Sequence, residues 1–158
     1  MVFYLLCLLL TSCDHKKDNI KEIEKQYEIT SFDCIDDLLE EYNISKSITN
    51  NKGFQCYLSA LKQIYNPEIS KLKIDYEQID DIHHLYFEIS NYENLEVALL
   101  LVTYKEDEII EILYAGKKNN GNYYSNRGNM DPRALYDYIQ KKWDSAKKEK
   151  LKIIQLEY

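Results

Sequence analysis

The sequence predicts an α+β domain of two layers, in which an antiparallel sheet of about five strands has its helices packed on one face. Three observations lead to this class. The chain has 158 residues, of which 45% are hydrophobic and 30% charged, enough for one domain with a buried core. The spacing of apolar residues changes along the chain from the helical period to a period of two. Short polar connections join the strand-like segments, as they do in hairpins.

Two helices are predicted in the first half of the domain, because apolar residues recur there every three or four positions. The first helix is expected to end near Asn43. Asn66-Pro67 ends the second, since a residue that precedes proline avoids the helical region. Residues 45–53 between them are expected to be a polar loop. The two apolar faces consist of Phe32, Ile35, Leu38, Leu39 and Tyr42, and of Phe54, Tyr57, Leu58, Leu61, Ile64 and Tyr65.

Four strands follow, and the third of them is apolar on both sides. Apolar and polar residues alternate in Lys71–Tyr76 and in Ile82–Ser90, as they do in half-buried strands. Leu95–Tyr104 is apolar at nearly every position, which is expected of a central strand covered on both sides. Glu108–Ala115 is expected to pair with it after a tight polar connection at 105–107.

The chain ends with an irregular segment, a helix and a final strand. Residues 116–130 hold three of the four glycines and predict the longest irregular segment. Asp131 as the cap and Pro132 at the first helical position begin a third helix. Residues 151–158, LKIIQLEY, are expected to form the last strand. The predicted order of elements is α-α-β-β-β-β-α-β.

The N-terminal segment is apolar and short. Met1–Ser12 has no charged side chain, and Val2–Leu10 is an unbroken apolar run. As a helix this run would span about 14 Å, half of a hydrocarbon core, so it does not predict a transmembrane helix. Its length is typical of the apolar region of a signal peptide.

The residues that follow the run, Leu10-Thr11-Ser12-Cys13, resemble the lipobox of bacterial lipoproteins. The resemblance implies that residues 1–12 are removed and that the Cys13 sulfur is acylated, which anchors the chain in a membrane of the bacterial cell envelope, periplasmic or surface-exposed. Residues 13–29 are then a charged tether, and residues 30–158 form the single α+β domain. The alternative is a buried first strand of a cytosolic protein, against which the charged stretch after Cys13 argues.

Cleavage and acylation would leave two of the four cysteines, Cys34 and Cys56. Two cysteines in an oxidising compartment favour a disulfide bond between them. Such a bond would close a ring of 23 residues and contribute about 3 kcal/mol by the chain-entropy estimate. The alternative is a pair of reduced, buried thiols.

Charge and motif spacing argue against most catalytic and binding classes. Lys and Arg number 20 and Asp and Glu 27, a net charge of −7, which argues against nucleic-acid binding. His83 and His84 follow two aspartates, but neighbouring residues of a strand point to opposite faces, so no metal site is predicted. Neither a G-x-S-x-G motif nor a phosphate-binding motif is present, and no cofactor is expected.

Tyrosine is the most distinctive residue of the composition, with 15 tyrosines against 4 phenylalanines and 1 tryptophan. Five of them lie in or beside the 116–130 segment. Exposed tyrosine together with Asn, Gly and Arg is typical of recognition surfaces. We therefore expect a protein partner to bind Tyr123, Tyr124 and Arg127. The alternative is that these tyrosines only cover the edge of the core.

These expectations favour a non-enzymatic, membrane-tethered protein-binding module. One concrete form is an immunity protein that neutralises a secreted toxin, since negative charge speeds the capture of a basic partner. The first alternative is a structural or assembly lipoprotein that docks on an envelope complex. The second is a hydrolase that uses carboxylates near His84 and Glu88.

Overall fold

A six-stranded antiparallel sheet runs through the domain, and its strands lie side by side in chain order. The computed structural model describes residues 27–29 and 32–156, and the side chains of residues 32–149. Four of the strands are ten residues long, and the two outer strands have three residues each. The strands are β1 (Tyr27–Ile29), β2 (Ser70–Ile79), β3 (Ile82–Asn91), β4 (Glu96–Lys105), β5 (Glu108–Lys117) and β6 (Tyr123–Ser125). The predicted α+β class with an antiparallel sheet is confirmed.

Three helices lie between β1 and β2 in the chain, and a fourth follows β6. A single 3₁₀ turn, Phe32–Cys34, leads into the first helix. Asn51 caps the third helix, because its Oδ1 accepts hydrogen bonds from the backbone N–H groups of Gly53 and Phe54. Asp131 caps the fourth in the predicted way, since its Oδ2 accepts from the Ala134 N–H at 3.1 Å. The helices are α1 (Ile35–Glu41), α2 (Lys46–Thr49), α3 (Lys52–Ile64) and α4 (Pro132–Leu156).

One side of the sheet, which we call the three-helix face, packs against α1, α2 and α3. Register defines this face, because Ile74, Phe87, Leu100 and Tyr114 stand opposite one another in successive strands. The helices contribute residues at helical spacing, and burying them against the strands forms the larger core. The helix residues in this core include Leu38, Leu39, Ile48, Phe54, Leu58 and Leu61.

The opposite side, which we call the α4 face, packs against α4 alone. Its strand residues are the neighbours of those on the three-helix face, among them Tyr86, Leu101 and Leu113, which also stand opposite one another. Leu135, Ile139, Trp143 and Ala146 cover them from the helix. The prediction that all helices lie on one face is therefore wrong. The physical reason is β4, whose two apolar sides both require a cover.

The predicted final strand at 151–158 is also wrong, because α4 continues through Leu156. Neither Gly nor Pro occurs between Arg133 and Leu156, and lysine, glutamate and leucine favour a helix there. Three further elements lie in segments predicted to be irregular. Helix α2 falls in the 45–53 loop, β6 in the 116–130 segment, and β1 at the end of the segment predicted as a tether.

The predicted disulfide bond between Cys34 and Cys56 is wrong. Cys34 is buried in the core of the three-helix face, whereas the Cys56 thiol is free and exposed. The reason is the position of Cys56 on α3, whose buried residues are Phe54, Leu58 and Leu61. A residue two positions after Phe54 lies on the opposite side of a helix from the core.

Candidate functional site

The structure separates the three residues predicted to bind a partner. Tyr123 and Tyr124 are neighbours on β6, so their side chains point to opposite sides of the sheet. Tyr123 lies on the α4 face, beside Tyr136. Tyr124 lies on the three-helix face, beside Tyr114. Arg127 follows the end of β6, on the α4 side.

Tyr124 is held by its own domain. Its hydroxyl donates a hydrogen bond to Glu96 Oε1 at 2.8 Å, and burial raises its pKa well above the usual range. Its ring lies directly over Gly116, where a Cβ atom would be 2.1 Å from Tyr124 Cζ. Only glycine leaves room for this ring. Tyr124 therefore has a structural role at the edge of the sheet.

Asn126, which the sequence did not single out, ends the pairing between β5 and β6. Its side-chain Oδ1 accepts from the Tyr114 N–H at 3.0 Å, and its Nδ2 donates to the Ile112 carbonyl at 2.9 Å. The same Nδ2 lies 3.1 Å from the Tyr57 hydroxyl on α3. The Asn126 N–H also donates to the Tyr114 carbonyl at 3.0 Å, so backbone and side chain together extend the pairing with β5 by one residue.

Tyr123 is partly covered on the α4 face. Its ring meets the Tyr136 ring edge-on at a centroid distance of 5.4 Å. The Lys117 Nζ lies 5.8 Å from its centroid, and the Arg133 guanidinium 6.0 Å. Tyr136 is itself half-buried, and burial raises its pKa to about 12. Both cations lie at cation–π distance from this one ring.

A groove, which we call the β5–α4 groove, opens beside Arg127. Its volume is about 410 Å³, and it lies between β5, the segment after β6 and the first turns of α4. Arg127 Nη2 donates to Glu111 Oε1 at 3.1 Å across one side of it. Both side chains of this ion pair are about two-fifths exposed, at 41% and 42%. The lining residues are Glu111, Leu113, Arg127, Asn129, Met130, Leu135 and Tyr138.

The apolar part of the groove has a buried floor and an exposed rim. Leu113 and Leu135 are buried, whereas Met130 is 47% exposed and Tyr138 49% exposed. Of the residues predicted to bind a partner, only Arg127 lines this groove. The spacing of Leu135 and Tyr138, three positions apart in the third predicted helix, indicates that both lie on the same side of that helix. Nothing in the sequence indicated that Leu113 would lie beneath them.

The α4 face also buries polar groups away from the groove. Trp143 donates its indole N–H to Asp75 Oδ2 at 3.0 Å, and its ring stacks on Tyr86 at 5.4 Å. His84 lies 3.1 Å from the Thr103 hydroxyl through Nδ1. Burial lowers the pKa of His84 to about 4, so the imidazole is neutral at neutral pH.

The two adjacent histidines face different surroundings, as the sequence predicted for a regular strand. His83 lies on the three-helix face, where its ring stacks on Tyr104 at 4.8 Å and its Nδ1 is 2.7 Å from the Tyr76 hydroxyl. No group of three or more potential metal ligands occurs among the described residues. None of the helices within the described part of the chain is long and apolar enough to cross a membrane. Cys13 and the lipobox lie outside the described residues.

Comparisons of the chain with protein-family models, with curated proteins and with solved structures found no match.

Proposed function

We propose that this protein is a membrane-anchored binding module of the bacterial cell envelope, and that it holds another protein at the β5–α4 groove. The observation that carries this proposal is the exposed pair Met130 and Tyr138 above a floor of buried leucines, next to Arg127. Methionine, tyrosine and arginine are enriched at protein–protein interfaces. Tyrosine and arginine side chains that become buried near the centre of an interface are common binding hot spots.

The anchor in this proposal rests on the sequence. Leu10-Thr11-Ser12-Cys13 resembles a lipobox, and acylation of Cys13 would hold the domain beside the membrane. Replacing Cys13 with Ser should abolish metabolic labelling of the protein by a fatty acid. A Cys56→Ser variant, which removes the exposed thiol of α3, is the matched control and should label normally. Unchanged labelling of the Cys13→Ser variant would contradict the anchor.

Binding at the groove can be tested in cells that produce the protein. A photo-crosslinking amino acid at Tyr138 should capture one partner in a stoichiometric complex. The control position is Tyr92, which is 54% exposed in the β3–β4 turn, outside the groove lining. Capture at both positions, or at neither, would contradict the proposed groove.

The captured partner decides between two forms of the proposal. A secreted toxin would identify an immunity protein, and a stable envelope component would identify an assembly lipoprotein. Alanine at Arg127 should then weaken the complex. In this binding test Tyr124 should be changed only to Phe, because its ring covers Gly116 and its removal would disturb the sheet edge.

A further inference from the structure

We propose that the β5–α4 groove binds a basic segment of the partner, with an apolar side chain between Met130 and Tyr138 and a lysine or arginine at Glu111. This inference rests on the proposed function, since it names the chemistry of the partner at the same groove. Binding of such a segment requires an apolar site and, beside it, an acidic group within a negatively charged protein. The described residues provide both at the β5–α4 groove.

The apolar site is the space above Leu113 and Leu135. Both leucines are buried, at 4% and 1% exposure, and they form a floor of fixed position. Met130 and Tyr138 stand at the rim with about half of their surface exposed. An aliphatic side chain inserted between them would bury apolar surface on three sides. Methionine, which has an unbranched side chain, adapts its shape to such an occupant.

The negative field comes from the chain as a whole, whose net charge is −7. The groove lining itself holds one acid, Glu111, and one base, Arg127. The segments around it, 106–113 and 127–138, carry a net charge of −4, which Lys105 opposite Glu108 and Lys141 and Lys142 after Tyr138 reduce to −1. A basic segment is attracted by this field, and a second copy of the chain is repelled.

Glu111 is the acid placed to make the direct contact. It lines the groove, and its Oε1 accepts from Arg127 at 3.1 Å. No described residue donates a hydrogen bond to its Oε2, and the side chain is 42% exposed. An incoming lysine or arginine can therefore reach Glu111 without displacing Arg127. The ion pair also fixes the direction of the carboxylate before binding.

The test uses the methyl group of Met130 as a reporter inside the groove. The chain has two methionines, Met1 and Met130, so methionine labelled with ¹³C in its methyl group gives a spectrum that is easily assigned. The Met130→Leu variant identifies the Met130 signal. The full chain is titrated with the acetylated, amidated pentapeptide KLKLK and, separately, with ELELE. We expect KLKLK to shift the Met130 signal in a saturable manner, and ELELE to leave it in place.

Two variants test the contribution of charge. Glu111→Lys should weaken KLKLK binding about fivefold, because one exposed attraction is replaced by a repulsion. Glu93→Lys, at the β3–β4 turn, changes the net charge of the chain by the same amount as Glu111→Lys. It should leave the affinity for KLKLK within about twofold, since that site is exposed and screened by salt. A circular dichroism spectrum identical to that of the parent shows that each variant is folded.

Other results would overturn the inference. Equal shifts with both peptides would show that the groove recognises apolar surface alone. Absence of any saturable shift, or a preference for ELELE, would show that the groove does not bind a basic segment. A Met130 shift that depends on protein concentration without peptide would assign the groove to a second copy of the chain. Each of these is distinct from failure of the proposed function, which is judged by photo-crosslinking at Tyr138 in cells.

Discussion

Among the described strand residues, the α4 face buries three polar side chains, Asp75, His84 and Thr103, whereas the three-helix face buries one, Asn91 at the end of β3, which donates to the Ile64 carbonyl of α3. The more apolar face is covered by three short helices and the mixed face by one long helix. Apolar packing has no direction, so several short helices can share it. Hydrogen bonds such as that from Trp143 to Asp75 have defined geometry, and they fix the position of α4 along the strands.

The largest effect is expected from removing Trp143, the only tryptophan of the chain. It is 1% exposed, stacks on Tyr86 and donates to Asp75. Trp143→Ala should lower the free energy of unfolding by about 3–5 kcal/mol, measured by urea denaturation, because it leaves a cavity and removes a donor from a buried carboxylate.

A conservative pair of variants separates these two causes. Trp143→Phe keeps an aromatic ring but removes the N–H, and it should cost about 1–3 kcal/mol. Phe54→Leu on the three-helix face removes volume and a ring contact but no hydrogen bond, and it should cost less than about 1.5 kcal/mol. If both variants cost the same, the polar contact does not distinguish the two faces.

The second effect is a dependence of stability on pH that arises at His84. Its pKa is about 4 in the folded chain and 6.5 in the unfolded chain, because burial disfavours the charged imidazole. The unfolded chain thus binds a proton more readily, so the contribution is constant above pH 6.5 and is lost as the pH falls toward 4. The loss amounts to about 3 kcal/mol at most.

The measurement is the difference between the parent and His84→Gln. The free energy of unfolding of both should be determined by urea denaturation across this range of pH, so that the titration of carboxylates cancels. The parent should lose more stability on acidification than the variant. Parallel curves would mean that His84 is protonated equally in both states.

The third effect concerns the polar edge of the three-helix face. Gly116→Ala should cost about 1–3 kcal/mol, because a Cβ atom 2.1 Å from Tyr124 Cζ forces the ring away from Glu96. The same substitution in a Tyr124→Ala background should cost less than about 0.5 kcal/mol, since no ring remains to be displaced. Additive costs in this double-mutant cycle would contradict the proposed contact between Gly116 and Tyr124.

The smallest effect tests whether the two faces differ only in their polar groups. Leu100→Met on the three-helix face and Leu101→Met on the α4 face nearly conserve volume at neighbouring buried positions. Each should cost less than about 1.5 kcal/mol, and the two costs should agree within about 0.5 kcal/mol. A much larger cost for Leu101→Met would show that the apolar packing of the α4 face is also the more specific.

The pattern of residues predicted the long elements well. Period-two alternation located β2 and β3, and Asp131 with Pro132 located the start of α4. The short elements β1, α2 and β6 have three or four residues, too few to show a period, so they depend on tertiary contacts. Ile48 in α2 illustrates this dependence, because it is fully buried within a segment whose other residues are polar.

The candidate site was predicted only in part. Arg127 was recognised from the composition around it, whereas Leu113 and Glu111 belong to a strand distant in sequence. Sequence spacing indicates which residues share one element and gives no distance between elements. The predicted pair Cys34 and Cys56 failed for the same reason, since the rotation of α3 relative to the 3₁₀ turn Phe32–Cys34 decides whether the two sulfur atoms meet.

Local chemistry along the chain was sufficient to determine the α+β class, the hairpin order of the long strands and the double-sided burial of β4, because hydrophobic periodicity acts within each element. Tertiary structure alone decided that α4 crosses the second face of the sheet, that Tyr124 faces inward over Gly116, and that a groove forms beside Glu111. These features depend on contacts between residues far apart in sequence, which form only when whole surfaces pack together.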